Sequence, residues 1–282
     1  MAQLEVQGVT VRFRGLVALD DVSLSVSHGE VVGLIGPNGA GKTTLFNSIT
    51  GMQAVSAGSV TFEERNITRY SADRRSRMGI ARTFQTVQLL TRMSAFDNIL
   101  LGCQARMHSG LFSDGFRLPR SYRDEVRARR EVEDVVDFLG IAEYAYRGVG
   151  QLPLGIRRLV EIARAICSRP KLLLLDEAAS GIGRDETGAL QVLFRRIRDE
   201  FDLSMLVVEH DVDFVLGLCD YVYVLDFGRL IARGMPEDVR SNPKVITAYL
   251  GEPEAVQALY DEPIEEPEGA PMAEDAHVAA VG

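Results

Sequence analysis

The sequence predicts an α/β protein: a core with a parallel sheet, an N-terminal antiparallel β subdomain and an inserted helical subdomain. Three observations predict it. Residues 3–35 read as short strands punctuated by turns, residues from about 86 to 165 carry helical periods, and residues 171–225 alternate strand, helix, strand, helix, strand. Alternating elements of that kind place parallel strands in one sheet with helical crossovers between them.

In the opening region Leu4–Gln7 and Val9–Phe13, then Val22–Val26, then Val31–Ile35 are apolar or alternating runs. Gly8, Asp20-Asp21 and His28-Gly29 stand between them as turn signals. A glycine-rich stretch, Gly36 to Lys42, leads into a short helix at Thr43–Thr50 that Gly51 stops, and a further β stretch lies around Gly58–Phe62. In the middle region Val126, Val132, Val135, Val136 and Leu139 form one apolar stripe backed by Arg and Glu, as an amphipathic helix requires. The stretch 105–122 has no strong period and reads as a loop or mobile hairpin. Lys171–Leu175 then reads as a buried strand, Glu186–Phe201 as an amphipathic helix, Leu203–Glu209 as a strand, Val212–Leu218 as a helix and Tyr221–Leu225 as a strand. Asp226-Phe227-Gly228 sits between two β stretches and reads as a hairpin turn.

Composition narrows the function classes. The 282 residues are 46% hydrophobic and 25% charged, the balance of a globular protein. The net charge of −9 is a property of one end, because residues 252–282 carry nine acids and the last basic residue is Lys244. Setting those nine aside leaves 31 acids against 31 bases. A neutral body has no basic face with which to release phosphate counterions, so nucleic acid is not expected as a partner. The acidic, Pro- and Ala-rich segment 252–282 is expected to be disordered. Cys103, Cys167 and Cys219 are widely spaced within apolar periods and read as reduced and structural. No apolar run approaches the ~18–20 residues of a membrane span, so a cytoplasmic chain is expected, reaching the membrane through a partner.

Two motifs carry chemistry. Gly36-Pro37-Asn38-Gly39-Ala40-Gly41-Lys42-Thr43 fits G-x-x-x-x-G-K-[ST], follows the strand Val31–Ile35 and precedes a helix that continues with Thr44, the context this phosphate-binding loop needs. Its glycines let backbone N–H groups turn toward phosphate oxygens, the helix presents its N-terminal dipole, Lys42 adds mobile charge, and the Thr43 hydroxyl can ligate Mg²⁺. Leu172-Leu173-Leu174-Leu175-Asp176-Glu177 delivers two carboxylates at the C-terminal end of a buried strand, where open α/β sheets bind ligands. Asp176 would hold Mg²⁺ and Glu177 would polarise an attacking water. The two motifs together define a P-loop NTPase core.

Three further signals fall in order around these motifs. They are Gln85 in Arg82-Thr83-Phe84-Gln85, the stretch Leu152–Arg164 ending in Glu161-Ile162-Ala163-Arg164-Ala165, and His210 in Val208-Glu209-His210-Asp211. In this order they resemble the Q-loop, signature helix and switch histidine of ABC-transporter ATPases, over about residues 4–251 with a helical subdomain at about 86–165. Within that family the chain resembles the larger ATP-binding subunit of branched-chain amino-acid importers. That likeness rests on Arg82-Thr83-Phe84-Gln85, the insertion at 105–122 with Gly110-Leu111-Phe112-Ser113, and the end from Gly234-Met235-Pro236-Glu237 to Ala248-Tyr249-Leu250-Gly251. Lipopolysaccharide-export ATPases share a similar ending without the insertion, and urea-type importers are near relatives.

The resemblance implies ATP and Mg²⁺ as ligands and a head-to-tail dimer with a second ATPase subunit, identical or different. It also implies two transmembrane permeases, a periplasmic or extracellular solute-binding protein, and a place at the cytoplasmic face of the membrane. On matching positions Phe13 would stack on adenine, Gln85 would sense Mg²⁺ near the permease contact, His210 would contact the γ-phosphate, and Gly155 would face the partner's ATP. The signature departs from the family's Leu-Ser-Gly/Tyr-Gly-Gln, reading Leu152-Pro153-Leu154-Gly155-Ile156, and Pro153 has neither a hydroxyl nor a backbone N–H. Ala178 replaces the usual proline after Glu177, and Ser180-Gly181-Ile182-Gly183 replaces the usual coupling loop. An asymmetric dimer is therefore expected, with a nucleotide-dependent regulatory module as the alternative.

Overall fold

The computed structural model describes residues 2–83, 88–104, 119–177, 179 and 187–250, with backbone only for 119–122 and 250. Among these residues the chain forms two sheets. β1 (Ala2–Phe13) and β2 (Leu16–Ser27) pair antiparallel, and β4 (Ala57–Phe62) and β5 (Arg65–Asn66) complete a sheet of order β2-β1-β4-β5. The expected break at Gly8 is a bulge instead. Gly8 has φ +57, the register slips between Val6 and Val9, and β1 continues. Asp21, with φ +55, likewise sits inside β2 rather than in a turn. An inserted residue of positive φ bends a strand without ending its ladder.

The second sheet holds β3 (Val31–Ile35), β6 (Ile80–Arg82), β7 (Leu172–Asp176), β8 (Ser204–Val208), β9 (Tyr221–Asp226) and β10 (Arg229–Gly234), in the order β10-β9-β3-β8-β7-β6. All pairs are parallel except β9 with β10, which form a hairpin across Phe227-Gly228, the turn expected there. Every residue of β3, β7 and β8 is buried, because both faces of this sheet are covered. Strand alternation divides them between two cores. Val32, Leu34, Leu172, Leu174, Leu206 and Val208 pack toward the antiparallel sheet and α1 (Lys42–Thr50). Val31, Ile35, Leu173, Leu175, Met205 and Val207 pack on the opposite face.

That opposite core continues into three helices, α3 (Ala95–Gln104), α4 (Pro119–Phe138) and α5 (Leu154–Cys167), and into α6 (Thr187–Phe201) and α7 (Val212–Leu218). Of the predicted stripe, Val132, Val135, Val136 and Leu139 are buried in it, whereas Val126, nearer the start of α4, is half-buried. Helix α4 starts at Pro119, inside a stretch expected to be a loop as far as 122; proline is favoured in a first helical turn, where its missing N–H has no intrahelical acceptor. Short helices α2 (Ala72–Arg77), α8 (Pro236–Arg240) and α9 (Pro243–Leu250) complete the described chain. Arg75 of α2 is 2% exposed and donates to the carbonyls of Ser48, Ile49, Thr68 and Tyr70, tying the C-terminal end of α1 to the antiparallel sheet. Cys103, Cys167 and Cys219 are buried free thiols. No described helix is long and apolar enough to cross a membrane. Gln85, Ala178, Ser180–Gly183, most of the 105–122 stretch and the acidic segment 252–282 lie outside the described residues.

Candidate active site

The site forms where β3, β8 and β7 lie side by side and their chains leave the sheet at the C-terminal end. After β3, Gly36 (φ +153), Gly39 (φ +81) and Gly41 (φ +106) carry the chain around the loop. A Cβ at Gly36 would overlap the Leu225 carbonyl oxygen, and one at Gly41 would come within 2.8 Å of the Ala18 carbonyl oxygen. Glycine is thus required at both positions by conformation and by space. Helix α1 begins directly at Lys42 with no side-chain cap at Gly41, so the orphan N–H groups of its first turn are free to meet an anion. The Lys42 ammonium folds over the loop and donates to the carbonyls of Gly36 at 2.6 Å and Pro37 at 3.0 Å. Burial lowers its pKa, while the charges of Glu177 and Asp176 pull it back up.

Asp176 and Glu177 are neighbours with opposite surroundings. Asp176 stays in β7 opposite Val208, is 4% exposed, and receives Arg82 Nη2 at 2.6 Å on Oδ2. Its N–H donates to Thr83 Oγ1 at 3.2 Å. Glu177 has φ +52, a conformation that leaves the strand. Its N–H donates to the Val208 carbonyl at 2.8 Å and its carbonyl accepts from Arg158 Nη1 at 2.7 Å. Its Oε1 lies 2.6 Å from His210 Nε2.

One cleft of about 300 Å³ gathers the loop, Glu177 and His210, lined by Asn38–Thr44 of the loop and helix start, Glu177, Val208 and His210, while Asp176 lies outside this lining. Gly36 and Pro37 lie outside this lining and touch it through their carbonyls, which accept from Lys42. Phe13 ends β1 opposite Leu16, and with Val17 these residues make an exposed apolar hairpin tip; Ala18, next in β2, reaches Gly41. Gly155 lies in the exposed first turn of α5, with open space around its Cβ position, and Pro153 precedes that helix without a side-chain cap. Among the described residues the oxygens expected to hold a metal are the Thr43 hydroxyl, which lines the cleft, and the Asp176 carboxylate, which is held by Arg82. Among the described residues no group of three or more His, Cys, Asp or Glu could hold an ion. A few hard oxygens beside a phosphate loop fit Mg²⁺, which shares its shell with water and substrate phosphates.

Four residues of the site had no role assigned from the sequence: Arg82, Thr83, Arg158 and Glu209. Glu209 is 2% exposed and its Oε1 accepts the Ala179 N–H at 2.6 Å. Burial pushes its pKa up to about 7; Glu177 adds to the rise, and the Ala179 and His210 amides and Arg158 oppose it. A carboxylate next to His210 was the only local signal for Glu209. Arg82 meets Asp176 across 94 residues, a pairing no local spacing announces.

The family model for ABC transporters matches residues 19–180, and that for the branched-chain amino acid ATP-binding cassette transporter matches residues 229–255. The high-affinity branched-chain amino acid transport ATP-binding protein LivG of Salmonella typhimurium is 39% identical over 249 residues, covering 88% of this chain and 98% of that protein. BraF of Pseudomonas aeruginosa, of the same description, is 38% identical with the same coverage. Among solved structures, a nucleotide-free ATP-binding cassette from an ABC transporter matches with TM-score 0.76 and 34% identity, over 89% of this chain and all (100%) of that one. The ADP conformation of MJ1267, an ATP-binding cassette of an ABC transporter, matches with TM-score 0.77 and 32% identity over the same shares. The phosphate loop, the strand-end carboxylates and this likeness along nearly the whole length of its relatives make one conclusion: the chain belongs to the ATPases of ABC transporters, in the family of branched-chain amino-acid transport ATP-binding proteins.

Proposed function

We propose that this chain hydrolyses ATP to power uptake of branched-chain amino acids or related small solutes, from the cytoplasmic face of the membrane and within an asymmetric ATPase dimer. The observation that carries the catalytic part is the single cleft shared by the phosphate loop, Glu177 and His210. Lys42 donates to two loop carbonyls, neutral acceptors that it can exchange for phosphate oxygens. Glu177 acts as the base that orients the attacking water, and His210, in contact with its Oε1, holds that carboxylate and lies within reach of the γ-phosphate. Thr43 and Asp176, joined by Gln85, would hold Mg²⁺, which neutralises phosphate charge. Phe13 offers its exposed ring to adenine.

The partners proposed are a second ATPase subunit, two permeases and a solute-binding protein, with residues 4–251 as the ATPase domain, its helical part at about 86–165, and 252–282 as an acidic tail. Asymmetry rests on Pro153, which puts neither hydroxyl nor N–H where the partner's ATP would meet α5. The site holding this chain's own loop then hydrolyses ATP while the other turns over slowly. In the assembled complex Glu177→Gln is expected to lower turnover roughly 10²–10⁴-fold, as loss of a positioned base does, with ATP binding kept. Near-normal turnover would refute the asymmetric reading. The same Pro153 also favours the regulatory-module reading, and a mild-detergent pull-down of the Glu177→Gln chain with Mg-ATP separates the two. Permeases and a second ATPase come down with a transporter subunit, whereas a regulatory module brings down no membrane protein.

A further inference from the structure

We infer that Arg82 is a positioning residue for Asp176: its guanidinium clamps the carboxylate, ties it to the phosphate-loop helix, and is the charge with which Mg²⁺ must share it. This rests on the reading above, in which Asp176 holds the metal. The side chains of Arg82 and Asp176 are 8% and 6% exposed, and Nη2 meets Oδ2 at 2.6 Å. The other terminal nitrogen, Nη1, donates to Asn47 Oδ1 at 2.6 Å, and the guanidinium carbon lies 5.5 Å from the centre of the Phe46 ring. Asn47 and Phe46 belong to α1, whose first turn carries Lys42, Thr43 and Thr44. One side chain therefore spans the two halves of the site, from the end of β7 to the helix that begins at the loop.

The residue after Arg82 grips the same aspartate from its backbone. Thr83 Oγ1 accepts the Asp176 N–H, and the Thr83 N–H donates to the Leu174 carbonyl at 2.9 Å, extending the β6–β7 ladder. Arg82-Thr83 thus holds Asp176 at both its carboxylate and its amide. A charge-assisted hydrogen bond fixes the direction of the group that accepts it, so Arg82 keeps the Asp176 carboxylate aimed. A cation within a few ångströms of a carboxylate also opposes a second cation at that carboxylate. Arg82 consequently prepares the metal-holding group and limits how strongly the metal binds it.

The test uses the full chain as wild type, Arg82→Met, Arg82→Lys and the double variant Arg82→Met/Asp176→Asn. ATP affinity is measured with excess Mg²⁺ and with chelator, and thermal unfolding is followed without nucleotide. The ratio of the two ATP dissociation constants, chelator over Mg²⁺, should rise roughly tenfold in Arg82→Met, since a neighbouring charge is worth one or more decades of affinity. The ratio for Arg82→Lys should stay within about twofold of wild type because the charge beside Asp176 is kept. Its single ammonium cannot reproduce the fork to Asn47, so this variant should unfold at a lower temperature than wild type. Without nucleotide Arg82→Met should unfold at a lower temperature than wild type, and Asp176→Asn on top of it should recover most of the loss, because both members of the pair are then neutral. If Arg82→Met does not fold, a folded double variant supports the clamp, and a second neutral variant, Arg82→Gln, carries the metal test with the same expected rise in the ratio. An unchanged or smaller ratio in Arg82→Met beside a Mg²⁺-dependent wild type overturns the inference, as does failure of Asp176→Asn to rescue. A wild type whose ATP binding ignores Mg²⁺ overturns the Asp176 reading itself, and the inference with it.

Discussion

Glu209 gives this chain a pH dependence that can be isolated with one substitution. Its carboxylate is 2% exposed and its pKa rises from 4.5 to about 7, with burial the largest cause. Because the folded value lies above the unfolded one, the native chain keeps a proton that the unfolded chain releases between about pH 4.5 and 7. The contribution to stability is therefore complete below pH 4.5 and is lost as pH rises through 7. The distance between the two values corresponds to roughly 3 kcal/mol at 1.36 kcal/mol for each decade. Glu209→Gln keeps an oxygen to accept the Ala179 N–H and removes the titration. Urea unfolding of both proteins from pH 5 to pH 8 at fixed ionic strength should show the variant gaining on wild type by up to about 3 kcal/mol across that range. The other carboxylates are common to both proteins, so the difference reports Glu209 together with its coupling to Glu177. Parallel profiles, or a wild type that gains on the variant as pH rises, would refute the burial argument.

Arg75→Met should be the most destabilising of the remaining changes. It strips a cation from four backbone carbonyls, two of them at the end of α1; with about 3 kcal/mol lost, differential scanning calorimetry should find the midpoint lowered by roughly 5 °C. Gly36→Ala should weaken binding of a fluorescent ATP analogue by roughly tenfold or more, the scale of a forced backbone strain, since the new methyl group meets the Leu225 carbonyl. Gly39→Ala, at φ +81 but with open space around the Cβ position, should bind the analogue better than Gly36→Ala does. Pro153→Ser should raise ATP turnover of the assembled complex by restoring a hydroxyl at the start of α5. The midpoint should barely move, as about 1 kcal/mol from a new N-cap is offset by about 0.5 kcal/mol from losing proline. Unchanged turnover would remove the basis for asymmetry.

What could be read from the residues alone follows from how local each signal is. The strands β3, β7 and β8 are covered on both faces, so they appear as unbroken apolar runs with little ambiguity. The phosphate loop needs glycine at fixed intervals for its own backbone, which makes it a local pattern too. The hairpin turn at Phe227-Gly228 was equally readable, both residues having positive φ. Gly8 and Asp21 misled because a positive φ serves a bulge as well as a turn, and only the partner strand decides which. The three-residue strand β6 is too short for any period; its place comes from pairing with β7, more than 80 positions along. Arg82, Arg158 and Glu209 act through partners distant in sequence, so they looked like ordinary charges on ordinary elements.

The proposed coexistence of an altered signature and a working catalytic carboxylate has a physical basis in α5. The start of that helix is solvent-facing: Leu154 is 51% exposed and Gly155 touches nothing through its Cβ position. One turn on, Arg158 and Glu161 are 7% and 3% exposed, and Arg158 donates to the Glu177 carbonyl. Glutamate in the left-handed region costs on the order of 1 kcal/mol or more, and that donation, with the Val208 carbonyl accepting the Glu177 N–H, holds it there. The turned backbone is what separates Glu177, facing His210 in the cleft, from Asp176, facing Arg82 in the interior. In the proposed dimer a single helix would serve two nucleotide sites, its first turn toward a partner's ATP and its second, through Arg158, toward the Glu177 backbone. Changes at 153 and 154 would then alter the first service and leave Arg158 in place. Under the proposed asymmetry this is how one site of the dimer can slow while the other keeps its chemistry.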